Sequence, residues 1–118
     1  MNAEIHNDRA KLLMHRIVAR RLKTEPELVD QARQVLERWA RERPYLASDS
    51  WMTAWAEILQ LPPETVRSEI VRRTERATWL RNTSPFGVVP GLFPQDYAWR
   101  SRIWRIAKRG CERSRSRL

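Results

Sequence analysis

Prolines divide this chain into segments that each carry apolar residues at helical spacing. The breaks fall at Pro26, Pro44, Pro62-Pro63 and Pro85. Between them apolar side chains recur every three or four residues, the period of an amphipathic helix. No alternating run with turn residues on both sides indicates a β-strand. We therefore expect an all-α fold, a small four- to five-helix bundle with a basic C-terminal arm.

Turn and capping residues place the expected helix ends. Thr24 and Glu27 have the spacing of a capping box, Ser84-Pro85 ends a helix, and Gly110 is a natural C-terminal stop. Five helices are expected, over about residues 3–22, 24–43, 50–59, 63–83 and 94–110. This pattern predicts a single helical domain over residues 1–110, followed by a flexible basic tail over residues 111–118.

The positive charge lies at one end of the chain. Residues 100–118 contain eight Lys or Arg and one Glu, a net of +7, whereas residues 1–99 carry fifteen basic and thirteen acidic residues, a net of +2. This distribution is typical of a basic arm on a nearly neutral body.

Several classes of protein receive no support from the sequence. The first sixteen residues contain early acidic side chains and no apolar core of a signal peptide, and no run is long enough to cross a membrane. The lone Cys111 permits no internal disulfide, and His6 and His15 lack the spacing of a shared metal face. We expect a bacterial, cytoplasmic, non-enzymatic protein with no catalytic residues, no metal and no cofactor.

The C-terminal segment carries the clearest functional signal. Arginines recur at helical spacing with Trp99 and Trp104 interleaved. Arginine binds phosphate through two parallel hydrogen bonds, and tryptophan stacks on bases. The predicted nucleic-acid-binding residues, for DNA or RNA, are Arg100, Arg102, Trp104, Arg105, Lys108, Arg109, Arg113, Arg115 and Arg117. The alternatives are an acidic partner protein for the same face and a solvated tail without a specific role. An anionic membrane surface ranks last, because the tail lacks bulky apolar residues.

Residues 56–70 resemble the helix-turn-helix pattern of bacterial DNA-binding proteins. In that interpretation Thr65, Arg67 and Ser68 face DNA from the second helix. Gln60 stands where such turns usually have glycine, and Glu69 stands at a usual core position. A plain helical hairpin is the favoured interpretation.

The loop between the last two expected helices is a hinge or a docking site. Ser84-Pro85 ends one helix, and the phenylalanines at 86 and 93 are expected to pin the loop to the core. If the loop instead docks a partner protein, the contact residues are Val88, Val89, Leu92 and Phe93, and exposure of these side chains is the sign of it.

Three segments carry a resemblance to small, uncharacterised helical bacterial proteins with an Arg-x-x-Ser-Pro-Phe turn. They are LRNTSPFGVV at residues 80–89, DYAWR at 96–100 and WAEIL at 55–59. Some of those proteins look like antitoxins of toxin–antitoxin pairs. The resemblance implies a helical fold and a protein partner such as a cognate toxin, and it implies no catalytic residues.

These observations together predict an antitoxin- or regulator-like helical module. It binds a partner protein and, through its basic C-terminal helix, nucleic acid. The first alternative is a phage- or plasmid-type inhibitor or adaptor that binds only an acidic protein. The second is a helical RNA-binding toxin or nuclease.

Overall fold

The structure, a computed structural model, describes the backbone of residues 3–94 and 96–116 and the side chains of residues 5–94 and 96–110. Helices dominate this part of the chain, and it contains no strand. The α-helices are α1 (Ala3–Leu22), α2 (Leu28–Glu42), α3 (Ser50–Ile58), α4 (Pro63–Glu69), α5 (Glu75–Arg81) and α6 (Tyr97–Ser116). Two 3₁₀ helices, Pro44–Ser48 and Pro85–Val88, lie between them. The expected all-α class is confirmed.

The described residues form six α-helices, one more than the sequence pattern predicts. The expected helix over residues 63–83 is two helices, because the chain leaves helical geometry after Ile70. Thr74 takes an extended conformation and its hydroxyl accepts a hydrogen bond from the Ala77 backbone N–H at 3.1 Å, which starts α5. The apolar stripe continues through Ile70, Ala77 and Leu80 across this break, so periodicity alone does not reveal it.

A buried arginine fills the space that the break leaves. Arg81 is only 5% exposed, and its Nη1 donates to the carbonyls of Ile70 at 3.2 Å and Arg72 at 2.8 Å. Burial lowers the pKa of the Arg81 guanidinium, and the charge of Asp8 opposes that effect. Arg81 thus supplies donors to backbone carbonyls that the interrupted helix leaves without partners.

The second helix begins later than its capping box predicts. Glu27 is the N-cap residue of α2 and makes no side-chain capping hydrogen bond. The Thr24 hydroxyl instead donates to the Arg21 carbonyl at 3.4 Å, at the C-terminal end of α1. The expected box is therefore wrong, because Thr24 belongs to the end of α1 rather than to the start of α2.

Trp55 is the largest side chain that is fully buried. It is 1% exposed and packs edge-to-face with Phe86, which is fully enclosed. The Trp55 indole N–H donates to the Leu80 carbonyl at 2.9 Å, so its polar atom is satisfied inside the core. Trp55 thereby joins α3 to the end of α5 and to the second 3₁₀ helix.

The last helix packs along the first. Ala107 of α6 is fully buried, and Gly110 lies close against the Arg9 side chain of α1. Gly110 does not end α6, which continues to Ser116, because its φ remains helical and no left-handed cap forms there. The division between a domain over residues 1–110 and a tail over residues 111–118 stays a prediction.

None of the helices in the described residues is both long enough and apolar enough to span a lipid bilayer.

Arg81→Met is expected to lower the free energy of unfolding by about 2–3 kcal/mol, because the Ile70 and Arg72 carbonyls lose a charged donor. Urea denaturation measures the change. Arg76→Met is the matched control, since Arg76 lies exposed on the same helix and its replacement should cost little. An equal effect of both substitutions would contradict the role assigned to Arg81.

Candidate functional site

The loop that precedes α6 is tied to the core at Ser84. The Ser84 hydroxyl oxygen accepts a hydrogen bond from the Phe86 backbone N–H at 3.2 Å, which caps the second 3₁₀ helix. The same hydroxyl lies 2.7 Å from the Nε2 atom of His15 on α1. Pro85 and Phe86 are buried beside it. The turn that ends the core helices is therefore bound to the first helix of the chain.

His15 is a buried structural residue. It is 5% exposed, its Nδ1 lies 2.7 Å from the Lys11 carbonyl, and its ring stacks on Trp55 and meets Phe86 edge-on. Because a carbonyl only accepts, Nδ1 carries the proton and Nε2 accepts from the Ser84 hydroxyl. Both ring nitrogens are thus occupied, which leaves neither of them free to act on a substrate in this conformation.

The environment of His15 keeps its imidazole neutral. Burial lowers its pKa from the ordinary 6.5 to about 4, and the positive charges of Arg81 and Lys11 act in the same direction. The hydrogen bond to the Lys11 carbonyl opposes this shift without reversing it. Protonation of Nε2 would also remove the acceptor that the Ser84 hydroxyl uses.

The docking surface predicted from the loop is corrected by the structure. Val89, Leu92 and Phe93 are 3%, 4% and 7% exposed and belong to the hydrophobic core, whereas Val88 is 48% exposed. The Arg21 guanidinium holds the loop further, donating from Nη1 to the Leu92 carbonyl at 3.0 Å. These three apolar side chains are therefore anchors of the loop, and only Val88 remains available to a partner.

The helix-turn-helix residues lie on α4, which packs mainly against α1. Arg67 donates from Nε to the Ala19 carbonyl of α1 at 3.0 Å, and the Ser68 hydroxyl donates to the Glu64 carbonyl within α4 at 3.3 Å. Thr65 is half-buried. The structure thus gives Arg67 a contact inside the fold, and a DNA-reading role for Thr65, Arg67 and Ser68 stays a prediction.

Four arginines of the body bind backbone carbonyls, a function that residue spacing does not reveal. Besides Arg21, Arg67 and Arg81, Arg33 donates from Nε to the Leu59 carbonyl at 2.9 Å. Each of these four bonds joins segments that are distant in sequence or separated by a helix break. Only the tertiary arrangement brings donor and acceptor together, so sequence reasoning had no signal for them.

The basic residues of α6 lie on the outside of the molecule. Arg100, Arg102, Arg105, Lys108 and Arg109 are all exposed. Arg113 and Arg115 lie within α6, but their side chains are outside the described residues, as is the whole of Arg117. Of residues 97–110, nine are exposed and only Ala107 is buried, so α6 forms a ridge on the surface.

Helix geometry separates the arginines from the tryptophans on this ridge. At about 100° per residue, Arg102, Arg105 and Arg109 fall within an arc of about 60°. We call these three residues the arginine stripe. Trp104 lies about 100° around the helix from Arg105 and about 160° from Arg102. Its ring meets His6 of α1 edge-on, at 5.7 Å between ring centroids, and it is 37% exposed.

Arginine and tryptophan alternate along the sequence of α6, but Trp104 does not share the face of the stripe, and its role in binding nucleic acid stays a prediction. Trp99 is half-buried and packs against Phe93 at 5.6 Å, and Trp104 flanks α6 on the side away from the stripe. An i, i+3, i+7 spacing groups the three arginines. Trp99 lies about 60° beyond Arg102, toward the buried side of α6, and Trp104 lies on another face.

A shallow cleft of about 350 Å³ lies between the start of α2 and the segment that joins α3 to α4. Its polar lining consists of Glu27, Asp30 and Arg33, and Arg33 is already engaged with Asp30 at 2.6 Å. Across the described residues, no group of three or more His, Cys, Asp or Glu side chains is arranged to hold a metal ion.

The neutral His15 makes the stability of the fold depend on pH. Since the pKa is lower in the folded than in the unfolded chain, its contribution is complete above pH 6.5 and is lost as the pH falls toward 4. Through His15, the free energy of unfolding should fall by about 3 kcal/mol over this range. Urea denaturation of the wild type and of His15→Gln at several pH values measures this loss. The two proteins should differ in the slope of unfolding free energy against pH.

His6→Gln is the matched control for this measurement, since His6 lies on the same helix and contacts Trp104 rather than the core. The slope of unfolding free energy against pH should change more in His15→Gln than in this control. An unchanged slope in His15→Gln would show that His15 is already protonated in the folded chain or that other groups dominate.

Comparison with known proteins adds no relative: no family model matches this chain, and searches of curated proteins and of solved structures return no match.

Proposed function

We propose that this chain is a non-enzymatic cytoplasmic binding module that holds nucleic acid through the basic outer face of α6. The single observation that supports this most is the exposure of the arginine stripe together with Lys108 on a surface ridge. Arginines in this arrangement can donate paired hydrogen bonds to phosphate oxygens. Their closely spaced positive charges also attract a polyanion over a distance.

The acidic residue of α6, Glu112, has its side chain outside the described residues. Residues 97–110 contain no acidic side chain, and among the described residues no ion pair involves Arg102, Arg105, Lys108 or Arg109. In the body of the protein, by contrast, Arg21 pairs with Glu25 at 2.7 Å and Arg33 with Asp30. These two body arginines are paired with carboxylates, whereas within the described residues the stripe has no such ion pair; its Arg105 donates only to the Ser101 carbonyl of α6, at 3.4 Å.

An acidic partner protein is the main rival, because the same charges would bind carboxylates. A protein partner of the antitoxin type would also use apolar contacts, for which Val88 and the 40% exposed Trp79 remain at the surface. The two partners respond differently to salt. A nucleic acid releases condensed counterions for each neutralised phosphate, whereas a folded acidic surface carries no comparable atmosphere.

Replacing Arg102, Arg105 and Arg109 together by Ala should weaken nucleic-acid binding and flatten its salt dependence. Because three phosphates are then no longer neutralised, the slope of log affinity against log salt should fall by about 3. Fluorescence anisotropy with labelled, mixed-sequence oligonucleotides, repeated at several salt concentrations, measures both quantities.

The control replaces three other exposed arginines, Arg41, Arg73 and Arg76, by Ala. This variant has the same net charge as the stripe variant, so a general charge effect would weaken both equally. Binding that survives in the control and fails in the stripe variant supports the proposal. Absence of binding by the wild type at low salt would refute it.

A further inference from the structure

We propose that α6 binds in the major groove of B-form duplex DNA and contacts chiefly its backbone phosphates. This inference rests on the nucleic-acid function proposed above and adds the class of nucleic acid. The observations that carry it are the ridge shape of α6, the position of the arginine stripe and the position of Trp104.

The ridge has the shape that a groove admits. Ala107 is the one buried position in residues 97–110, and Trp99, Ser101, Ile103 and Gly110 are half-buried. Most of the helix circumference therefore stands clear of α1. An α-helix with its side chains is about 10–12 Å across, and the major groove of B-form DNA is about 12 Å wide. The major groove of A-form RNA is too narrow and deep for side chains to read.

The stripe suits a double-stranded backbone better than a single strand. Arg102 and Arg109 are seven residues apart, so the stripe extends about 10 Å along the helix axis. No aromatic side chain lies within its arc. Proteins that hold single strands combine positive charge with a series of aromatic side chains on which successive bases stack. On α6 the exposed aromatic side chains are Tyr97, at the start of the helix, and Trp104; both lie on the flank away from the stripe, and His6 already contacts the Trp104 ring.

The side chains of the ridge also limit what can be read from the bases. Residues 97–110 contain no Asn, Gln, Asp or Glu, the residue types that recognise adenine and cytosine edges. Arginine and lysine recognise guanine, and both also bind phosphate. Most of the binding free energy should then come from phosphate contacts, with little dependence on sequence.

The test uses the full chain and three labelled probes of the same mixed sequence, each about two helical turns long: duplex DNA, single-stranded DNA and duplex RNA. Anisotropy titrations at about 50 and about 200 mM salt give the affinities. We expect duplex DNA to bind roughly tenfold or more tightly than either other probe. Two DNA duplexes of different sequence should bind with similar affinity.

Two variants test whether the ridge is responsible for the preference for duplex DNA. The stripe variant, with Ala at positions 102, 105 and 109, should lose the preference for duplex DNA, whereas Trp104→Leu should keep it. Leu retains apolar packing against His6 and removes the indole, and thermal unfolding confirms that each variant folds.

The outcomes separate the two proposals. Single-stranded DNA or duplex RNA binding as tightly as duplex DNA would overturn the groove assignment and leave nucleic-acid binding intact. If Trp104→Leu loses the preference for duplex DNA to the same extent as the stripe variant, that result would also overturn the groove assignment. It would favour base stacking instead. Failure of all three probes to bind at the lower salt concentration would overturn the proposed function itself.

Discussion

The hydrogen bonds of a neutral His15 hold together the parts of this fold that are distant in sequence. The imidazole links the Lys11 carbonyl on α1 to the Ser84 hydroxyl, which in turn accepts from the Phe86 backbone. It does so against the buried rings of Trp55 and Phe86, where a hydrogen bond is stronger than in water. A polar chain in such surroundings specifies one arrangement of helix and turn, because any shift leaves a buried donor or acceptor without a partner.

The orientation of the exposed face of α6 follows from the hydrogen bonds that tie the Ser84 turn to α1. From Phe86 the chain passes to Val89, Leu92 and Phe93, which are buried, while Arg21 holds the Leu92 carbonyl. The next contacts are Phe93 against Trp99 and the Asp96 side chain, which accepts from the Trp99 backbone N–H at 2.7 Å and caps α6. Each step restricts where α6 begins and which side faces outward. The position of the arginine stripe is thereby coupled to the core through consecutive contacts along the chain.

Sequence reasoning succeeded where local periodicity is enough and failed where distant groups decide. The apolar spacing and the prolines predicted the all-α class and the bounds of α1, because both depend on neighbouring residues. The break after Ile70 was missed, since its apolar stripe continues and the Arg81 donors come from a later turn. The burial of Phe93 was one of two expectations for the loop, and the burial of Leu92 was not expected. For the site, spacing located the arginines on α6, but it did not place Trp104 against His6 on another face.

Arginine has two distinct uses in this chain, and they differ in what could replace it. Arg21, Arg33, Arg67 and Arg81 each direct specific N–H groups at a backbone carbonyl, and Arg21 also binds both carboxylate oxygens of Glu25. The planar fork of the guanidinium is needed there, and a lysine ammonium on its flexible stem would lose that geometry. On α6 the stripe carries its positive charge at an open surface, where a lysine would keep the charge and lose only the planar fork. Whether lysine can replace an arginine thus distinguishes the arginines that hold the fold together from those on the exposed face of α6.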